Sequence, residues 1–388
     1  MRSSRTSRRR FAARATSRTA IGARSASCRR GRPTRAGSSS CAFASGTSTW
    51  SGPVPRRKGL ALLAAVALAL PALPACRIGS AGLRGVGALF ASPRKVTQNK
   101  TPTAKDTRLG VLWVGHATAL VQIDDKVILT DPVFTSVVGQ VASRLVEPGI
   151  DPKDVPKVDA VLVSHMHFDH FSYGSLELIE DKVKALLLPR NGSAYLPDNF
   201  AFPAWELHTW QAWEKDGLRV TAVPVDHVGF RYGIDGAWMK SSFTGYVVEY
   251  HGMKVYFGGD SAYDQRNFVE TAQRFPKIDV ALLPIAPIEP RDFMRRTHMD
   301  PREALQAFVD LEAASMVPIH YDTFVNSTDT PGDALKALAQ AQKDLYVGPG
   351  RAVTPLAIGE RRVFVKAGEG PPLPEPPKPE PEPPPALR

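Results

Sequence analysis

The chain has 388 residues, 43% hydrophobic and 22% charged, with a formal net charge of +11. Residues 1–58 hold fourteen Arg, one Lys and no acid, and residues 59–75 are uncharged, so the part from Cys76 onward carries −4 and a nucleic-acid role inferred from overall charge is excluded. The three cysteines, Cys28, Cys41 and Cys76, lie ahead of everything else of interest, which excludes a disulfide framework, a thiolate metal site or a cysteine nucleophile beyond them.

Residues 1–53 are rich in Arg, Ser, Ala and Thr with no apolar period, a composition that cannot bury enough surface to fold alone. Residues 1–55 read as a disordered extension: a basic targeting arm, or the product of a start placed too far upstream, with Val54 as the alternative start. Arg56-Arg57-Lys58 then supplies a positive segment before a 14-residue apolar run, 60–73, shorter than the roughly 20 residues of a membrane-spanning helix. The run ends Leu73-Pro74-Ala75-Cys76, which resembles a bacterial lipobox. Residues 56–76 are therefore expected to be a signal peptide, with lipid attached to Cys76 after cleavage. Signal cleavage without lipid and an uncleaved anchor are the alternatives. The expected place is the bacterial cell envelope facing the periplasm, with the cytoplasm as alternative. Residues 77–105 read as a tether. Residues 367–388, dominated by Pro with interspersed Glu, favour extended polyproline geometry without a core.

Between these flanks, layered folds of this size commonly form one domain, here 106–366. Strands are expected at 112–114, 119–123 and 127–129, the latter two meeting at a turn around Asp124-Asp125. The apolar run 158–164 reads as a buried strand. It leads into His165-Met166-His167-Phe168-Asp169-His170, four candidate ligands in six residues. In an extended stretch side chains alternate, so His165 and His167 reach one metal together, while Asp169 and His170, past the bend, are free to face a second. Imidazole and carboxylate suit zinc, manganese or iron. The bland alternative, a polar turn, would leave several buried groups needing partners.

Further strands are expected at 183–188, 220–225, 242–250, 254–257, 280–283, 353–358 and 362–365. Helices are expected at 263–275, at 301–311 with Asp300 as cap and Pro301 at its start, and at 332–341. No internal repeat is visible. His227 follows the 220–225 strand, and Asp260 follows the 254–257 strand and a Gly258-Gly259 pair that allows close backbone approach. His320 follows Met316-Val317-Pro318-Ile319. Taken singly, His227 and His320 read more readily as satisfied core histidines than as ligands.

The six-residue stretch resembles the HxHxDH signature of the metallo-β-lactamase superfamily. Trp113-Val114-Gly115-His116-Ala117-Thr118, Thr130-Asp131-Pro132, Gly258-Gly259-Asp260-Ser261, Glu289-Pro290-Arg291, His298-Met299-Asp300-Pro301 and Ile319-His320-Tyr321 are similar to the N-acyl-phosphatidylethanolamine-hydrolysing phospholipase D branch. A sister branch holds L-ascorbate-6-phosphate lactonase and related bacterial hydrolases. The resemblance implies an α/β fold, an αββα sandwich of two mixed sheets flanked by helices. It also implies two divalent metal ions at one edge, zinc by preference with iron or manganese as alternatives.

By that resemblance His165, His167 and His227 would hold one metal, Asp169, His170 and His320 the other, and Asp260 would bridge them. A hydroxide between the metals would be the nucleophile. Asp131 and His116 would support the ligands, and His298 would contact the substrate or leaving group, as would Arg291 through phosphate. Arg295 and Arg296 read as a solvated basic loop. His208, where the branch usually has an acid, and His251 read as uninvolved. The implied substrate is a phospholipid or small phosphodiester, met at a membrane surface. A lactonase or hydrolase of small phosphorylated esters, and a non-catalytic metal-binding envelope protein, are the competing readings.

Overall fold

The computed structural model describes residues 92–139 and 142–372. The expected extension, signal peptide and lipid-bearing Cys76 lie outside the described residues, as does the tail from 373. No described helix is long and apolar enough to cross a membrane.

The chain forms β1 (Thr107–Gly115), β2 (Thr118–Ile123) and β3 (Lys126–Thr130), then a short ribbon, β4 (Val137–Val138) with β5 (Ala142–Ser143). β6 (Ala160–Leu162), β7 (Leu186–Pro189) and β8 (Ala204–Leu207) complete this half, with α1 (Tyr173–Glu177) after β6. The other half runs β9 (Ala212–Lys215), β10 (Leu218–Val223), α2 (Gly236–Met239), β11 (Gly245–Tyr250), β12 (Met253–Phe257), α3 (Gln265–Arg274) and β13 (Val280–Pro284). It continues through α4 (Arg291–Met294), α5 (Pro301–Asp310), β14 (Ser315–Ile319), α6 (Asp333–Asp344) and β15 (Ala352–Val353), before β16 (Arg361–Lys366) returns to the first sheet.

The strand orders are β16-β1-β2-β3-β6-β7-β8 and β15-β14-β13-β12-β11-β10-β9. Each sheet has antiparallel pairs on one side and parallel pairs on the other, read from β16 in the first and from β9 in the second, with the change at β3/β6 and β12/β13. The two halves thus share a topology that no sequence repeat announces. This is the expected pair of mixed sheets flanked by helices.

Strand alternation builds the layers. Leu109, Val111 and Trp113 of β1 join the main core, while Leu112 and Val114 join a second cluster on the opposite face. Strands buried on both faces read as continuous apolar runs, which is why 158–164 and 280–283 are legible. Over the second sheet, α5 buries Ala304, Leu305, Ala307 and Phe308 and packs on β13, with α3 and α6 beside it. Its start is fixed by a capping box: the Asp300 side chain accepts Glu303 N at 2.9 Å while Glu303 reaches back to Asp300 N.

Several boundaries differ from expectation for visible reasons. The 220–225 strand stops at Val223 because Pro224 has no N–H to donate, and only Val353 of the 353–358 run stays in the ladder because Pro355 follows. The 242–250 strand starts at Gly245, because Thr244 N bonds across to Ser164 O at 2.9 Å. β8 and β9 were not anticipated; each is four residues long and sits at a sheet edge. The tether ends earlier than its expected limit of residue 105. Arg94 N donates to Leu145 O at 2.8 Å and Asn99 N to Gly149 O at 2.7 Å, so the chain is already on the domain there. The tail likewise begins bonded, with Arg108 donating to Glu369 O at 2.6 Å.

Candidate metal centre

All candidate ligands sit just beyond the carboxyl ends of strands, the usual location of sites in open α/β sheets. Ser164 and His165 follow β6, Asp131 follows β3, His227 follows β10, Asp260 follows β12 and His320 follows β14. The two sheet ends come so close that a Cβ on Gly259, at φ +56°, would lie 2.3 Å from Ser164 Cβ. Three other residues here hold left-handed backbone without being glycine: His116 at φ 57°, Asp131 at 31° and His320 at 66°. Such conformations persist only where neighbours over-determine them. His320 N donates to His116 O at 2.9 Å, His116 N to Thr323 Oγ1 at 2.8 Å, and Asp131 N to Leu162 O at 2.8 Å.

The structure brings the seven expected ligands together. His165, His167 and His227 form one group of converging donor atoms, and His116, Asp169, His170 and His320 another. Asp260 lies between them. Its Oδ2 is 3.3 Å from His170 Nε2 and 3.9 Å from His227 Nε2, and its Oδ1 is 3.0 Å from His320 Nε2.

Hydrogen bonds at the back of the rings decide which nitrogens face inward. His227 Nδ1 bonds to Thr297 O at 2.8 Å and His320 Nδ1 to Ala286 O at 2.9 Å, which places the ring proton on Nδ1 and turns Nε2 inward as the donor atom. His170 Nδ1 lies 2.6 Å from Asp131 Oδ2 and turns its Nε2 the same way. The His170 and His320 Nε2 atoms are 3.2 Å apart, and His167 Nδ1 is 2.8 Å from His165 Nε2 and 3.4 Å from His227 Nε2. Lone pairs this close repel unless positive charge lies among them. A tetrahedral cation with bonds of about 2.0–2.1 Å holds nitrogens roughly 3.3 Å apart, so these donors fit one. Asp260 Oδ1 and His298 Nδ1 are also buried without hydrogen-bond partners.

The electrostatics agree. Burial, and then neighbouring imidazoles, hold His165 well below the usual histidine range. Burial does the same for His227, against the pull of Asp260. At His170 burial is outweighed by the Asp260, Asp169 and Asp131 carboxylates, which raise it well above that range. At Asp260 burial is outweighed by His320 and His170, which hold the carboxyl well below its usual value.

Asp131 is a fully buried hub. Its Oδ1 accepts Ser164 N at 2.7 Å, and its Oδ2 accepts Ser164 Oγ at 2.6 Å besides facing His170. Ser164 Oγ in turn sits 2.9 Å from His165 Nδ1. His116 Nε2 lies 2.9 Å from Asp169 Oδ2, and burial pushes its pKa down to about 3. His298 is at the site, its Nδ1 3.6 Å from Asp260 Oδ2, and burial lowers it to about 4.

Arg291 departs from its expected place as a phosphate contact. Its guanidinium pairs with Glu303 and with Asp300 at 3.4 Å, and donates to His298 O at 3.1 Å. It is a strut for the loop that carries His298. His251 bonds Asp124 at 2.8 Å and stacks on Tyr250, apart from the cluster, and His208 is exposed.

Two supports gave no sequence signal. Ser164 looked like the end of a strand. Arg231 is buried, donates to Met166 O at 2.9 Å and Phe171 O at 2.8 Å, and so clamps both ends of the ligand loop. Its guanidinium lies 4.2 Å from the Phe168 ring centroid and 4.5 Å from that of Tyr173. A cavity of about 230 Å³ opens beside His116 and His320, bounded by Phe324, Asn326 and Pro331.

Residues 126–321 match the family described as Beta-lactamase superfamily domain. The mitochondrial N-acyl-phosphatidylethanolamine-hydrolyzing phospholipase D of Saccharomyces cerevisiae is 30% identical over 241 residues, which are 59% of this chain and 51% of that protein. A metal-dependent hydrolase of Pyrococcus abyssi is 26% identical over 240 residues, 62% of this chain and 96% of that protein. Among solved structures, isothiocyanate hydrolase from Delia radicum gut bacteria aligns with a TM-score of 0.52 at 18% identity, over 66% of this chain and all of that one, a likeness of fold alone.

Proposed function

This chain belongs to the β-lactamase superfamily and is a metal-dependent hydrolase within it, and from that premise we propose that it cleaves phosphodiesters of the N-acylated phospholipid type at a centre for two divalent cations. The observation that carries the two-cation reading is Asp260, one carboxylate within 3.9 Å of a nitrogen from each group. A single-cation site has no use for a shared ligand. Similarity to the yeast phospholipase supports the phosphodiester class.

His165, His167 and His227 would hold the first cation, Asp169, His170 and His320 the second, and Asp260 both. Zinc suits five imidazoles and two carboxylates, as do iron and manganese. When bound, such cations supply a water of lowered pKa and polarise the oxygens of the scissile group. The chain's own part is to aim these donors. Asp131 and Ser164 orient His165 and His170, His116 fixes Asp169, and Arg231 holds the loop ends. His298, neutral at pH 7 with its pKa near 4, positions the substrate or leaving group through its ring nitrogens.

Asp260→Ala is expected to abolish hydrolysis of bis(p-nitrophenyl) phosphate and to lower bound metal from two per chain to one or none. Full activity in that variant overturns the two-cation reading. Release of phosphatidic acid from N-acyl-phosphatidylethanolamine, set beside a lactone panel, tests the substrate class. Lactone turnover with inert phosphodiesters would replace it.

A further inference from the structure

Of the eight large apolar side chains exposed among the described residues, four flank the metal centre: Tyr232 is 55% exposed, Ile234 88%, Trp238 60% and Phe293 67%, in two segments, while Val137, Leu178, Trp205 and Tyr346 lie in other segments. The segment from Phe230 to Lys240 leans on the site from one side: the Phe230 ring centroid is 5.2 Å from that of His167, and Tyr232 is 5.6 Å from Phe168. Phe293 lies on α4, which runs into Thr297, whose carbonyl holds His227.

The turn presenting Ile234 is built, not loose. The buried Asp235 carboxylate accepts Arg231 N at 2.7 Å and Tyr232 N at 2.9 Å and bonds the Tyr195 hydroxyl. A structure that spends a buried acid to hold apolar side chains in water has a use for them there. Exposed Lys240, Arg295 and Arg296 accompany them against Glu289 and Asp292, so the rim is net positive on a chain that carries −4 from Cys76 onward. Aromatic and aliphatic tips beside cations match the interface of an anionic bilayer, where rings sit at headgroup level and basic side chains meet phosphate.

We propose that the rim formed by Tyr232, Ile234, Trp238 and Phe293, with Lys240, Arg295 and Arg296, docks the metal centre directly onto an anionic phospholipid surface. The contact is interfacial and independent of any N-terminal anchor. It extends the phospholipid reading given above and names the surface on which that site works.

The test uses the full chain with phosphatidylcholine–phosphatidylglycerol vesicles carrying brominated acyl chains. Tryptophan fluorescence of the wild type should be quenched, and Trp238→Phe should lose most of that quenching, a readout an anchor elsewhere would not move. Ile234→Ser with Phe293→Ser should weaken vesicle association by about tenfold or more, with hydrolysis of soluble bis(p-nitrophenyl) phosphate unchanged. Arg295→Glu with Arg296→Glu should remove the preference for anionic over neutral vesicles. Full quenching in Trp238→Phe, or unaltered association in the double serine variant, overturns the proposal. So does a change of elution volume in that variant without any vesicle effect, which would make the rim a contact between copies of the chain. Vesicle binding is read without turnover, so inert phospholipid substrates would sink the substrate class and leave the docking result standing.

Discussion

Asp131 shows how much of the centre rests on a residue that need not touch a cation. Three donors converge on its two oxygens, and none has another acceptor of equal quality. Asp131→Ala should destabilise the protein by about 3–5 kcal/mol, as breaking a buried pair does, and should lower cation affinity; urea unfolding with metal titration checks both. The histidines make the chelated protein acid-sensitive. His116 at about 3 and His298 at about 4 sit below the ordinary 6.5, because burial disfavours their charged forms. The unfolded chain therefore binds protons on them from about pH 6.5 downward that the folded chain refuses until lower pH, so their contribution is present above 6.5 and lost as pH falls. His170, raised by its three carboxylates, has the opposite sign, but His165, His167 and His227 are lowered and add to the loss. The urea midpoint without metal should fall between pH 7 and pH 5, and the fall should be smaller in His298→Gln. An equal fall in both would remove His298 from this account.

At the scale of elements, the site exists because strand ends from two sheets meet. Gly259 is the narrowest point of that meeting, with left-handed backbone and Ser164 against it. Gly259→Ala should cost roughly 2–4 kcal/mol, from strain at positive φ plus overpacking, and reduce metal content with it; a thermal melt and metal analysis decide. The elements themselves were largely legible. β2, β3, β12 and β13 announce themselves as apolar or alternating runs, and α5 by Asp300 and Pro301 at its start. What was not legible followed from non-local bonding. Nothing near Thr244 says that its N–H leaves its own sheet for Ser164 O, or that a four-residue edge such as β8 finds a partner in β7.

For the whole molecule, cations bridging ligands from both sheets should stabilise the fold by mass action. At free metal one hundred times the dissociation constant that is about 2.7 kcal/mol, or roughly 5–10 °C in Tm for a domain of this size. Chelation should lower Tm by that order, and zinc should restore it; an unchanged Tm would mean the sheets do not share a cation. The sequence by itself determined the donor types and their placement after strands, because period-2 apolar runs and the His-rich stretch are local properties of the chain. It also carried the family likeness that makes His227, Asp260 and His320 partners of the first motif. Only the tertiary structure decided which nitrogen of each ring turns inward, that Arg231 braces the ligand loop, and that Arg291 pairs with Glu303 and Asp300. Those outcomes depend on contacts such as His116 with Asp169 or Arg231 with Met166, 53 and 65 residues apart in the chain. Packing sets such pairings, and no local pattern of residues encodes them.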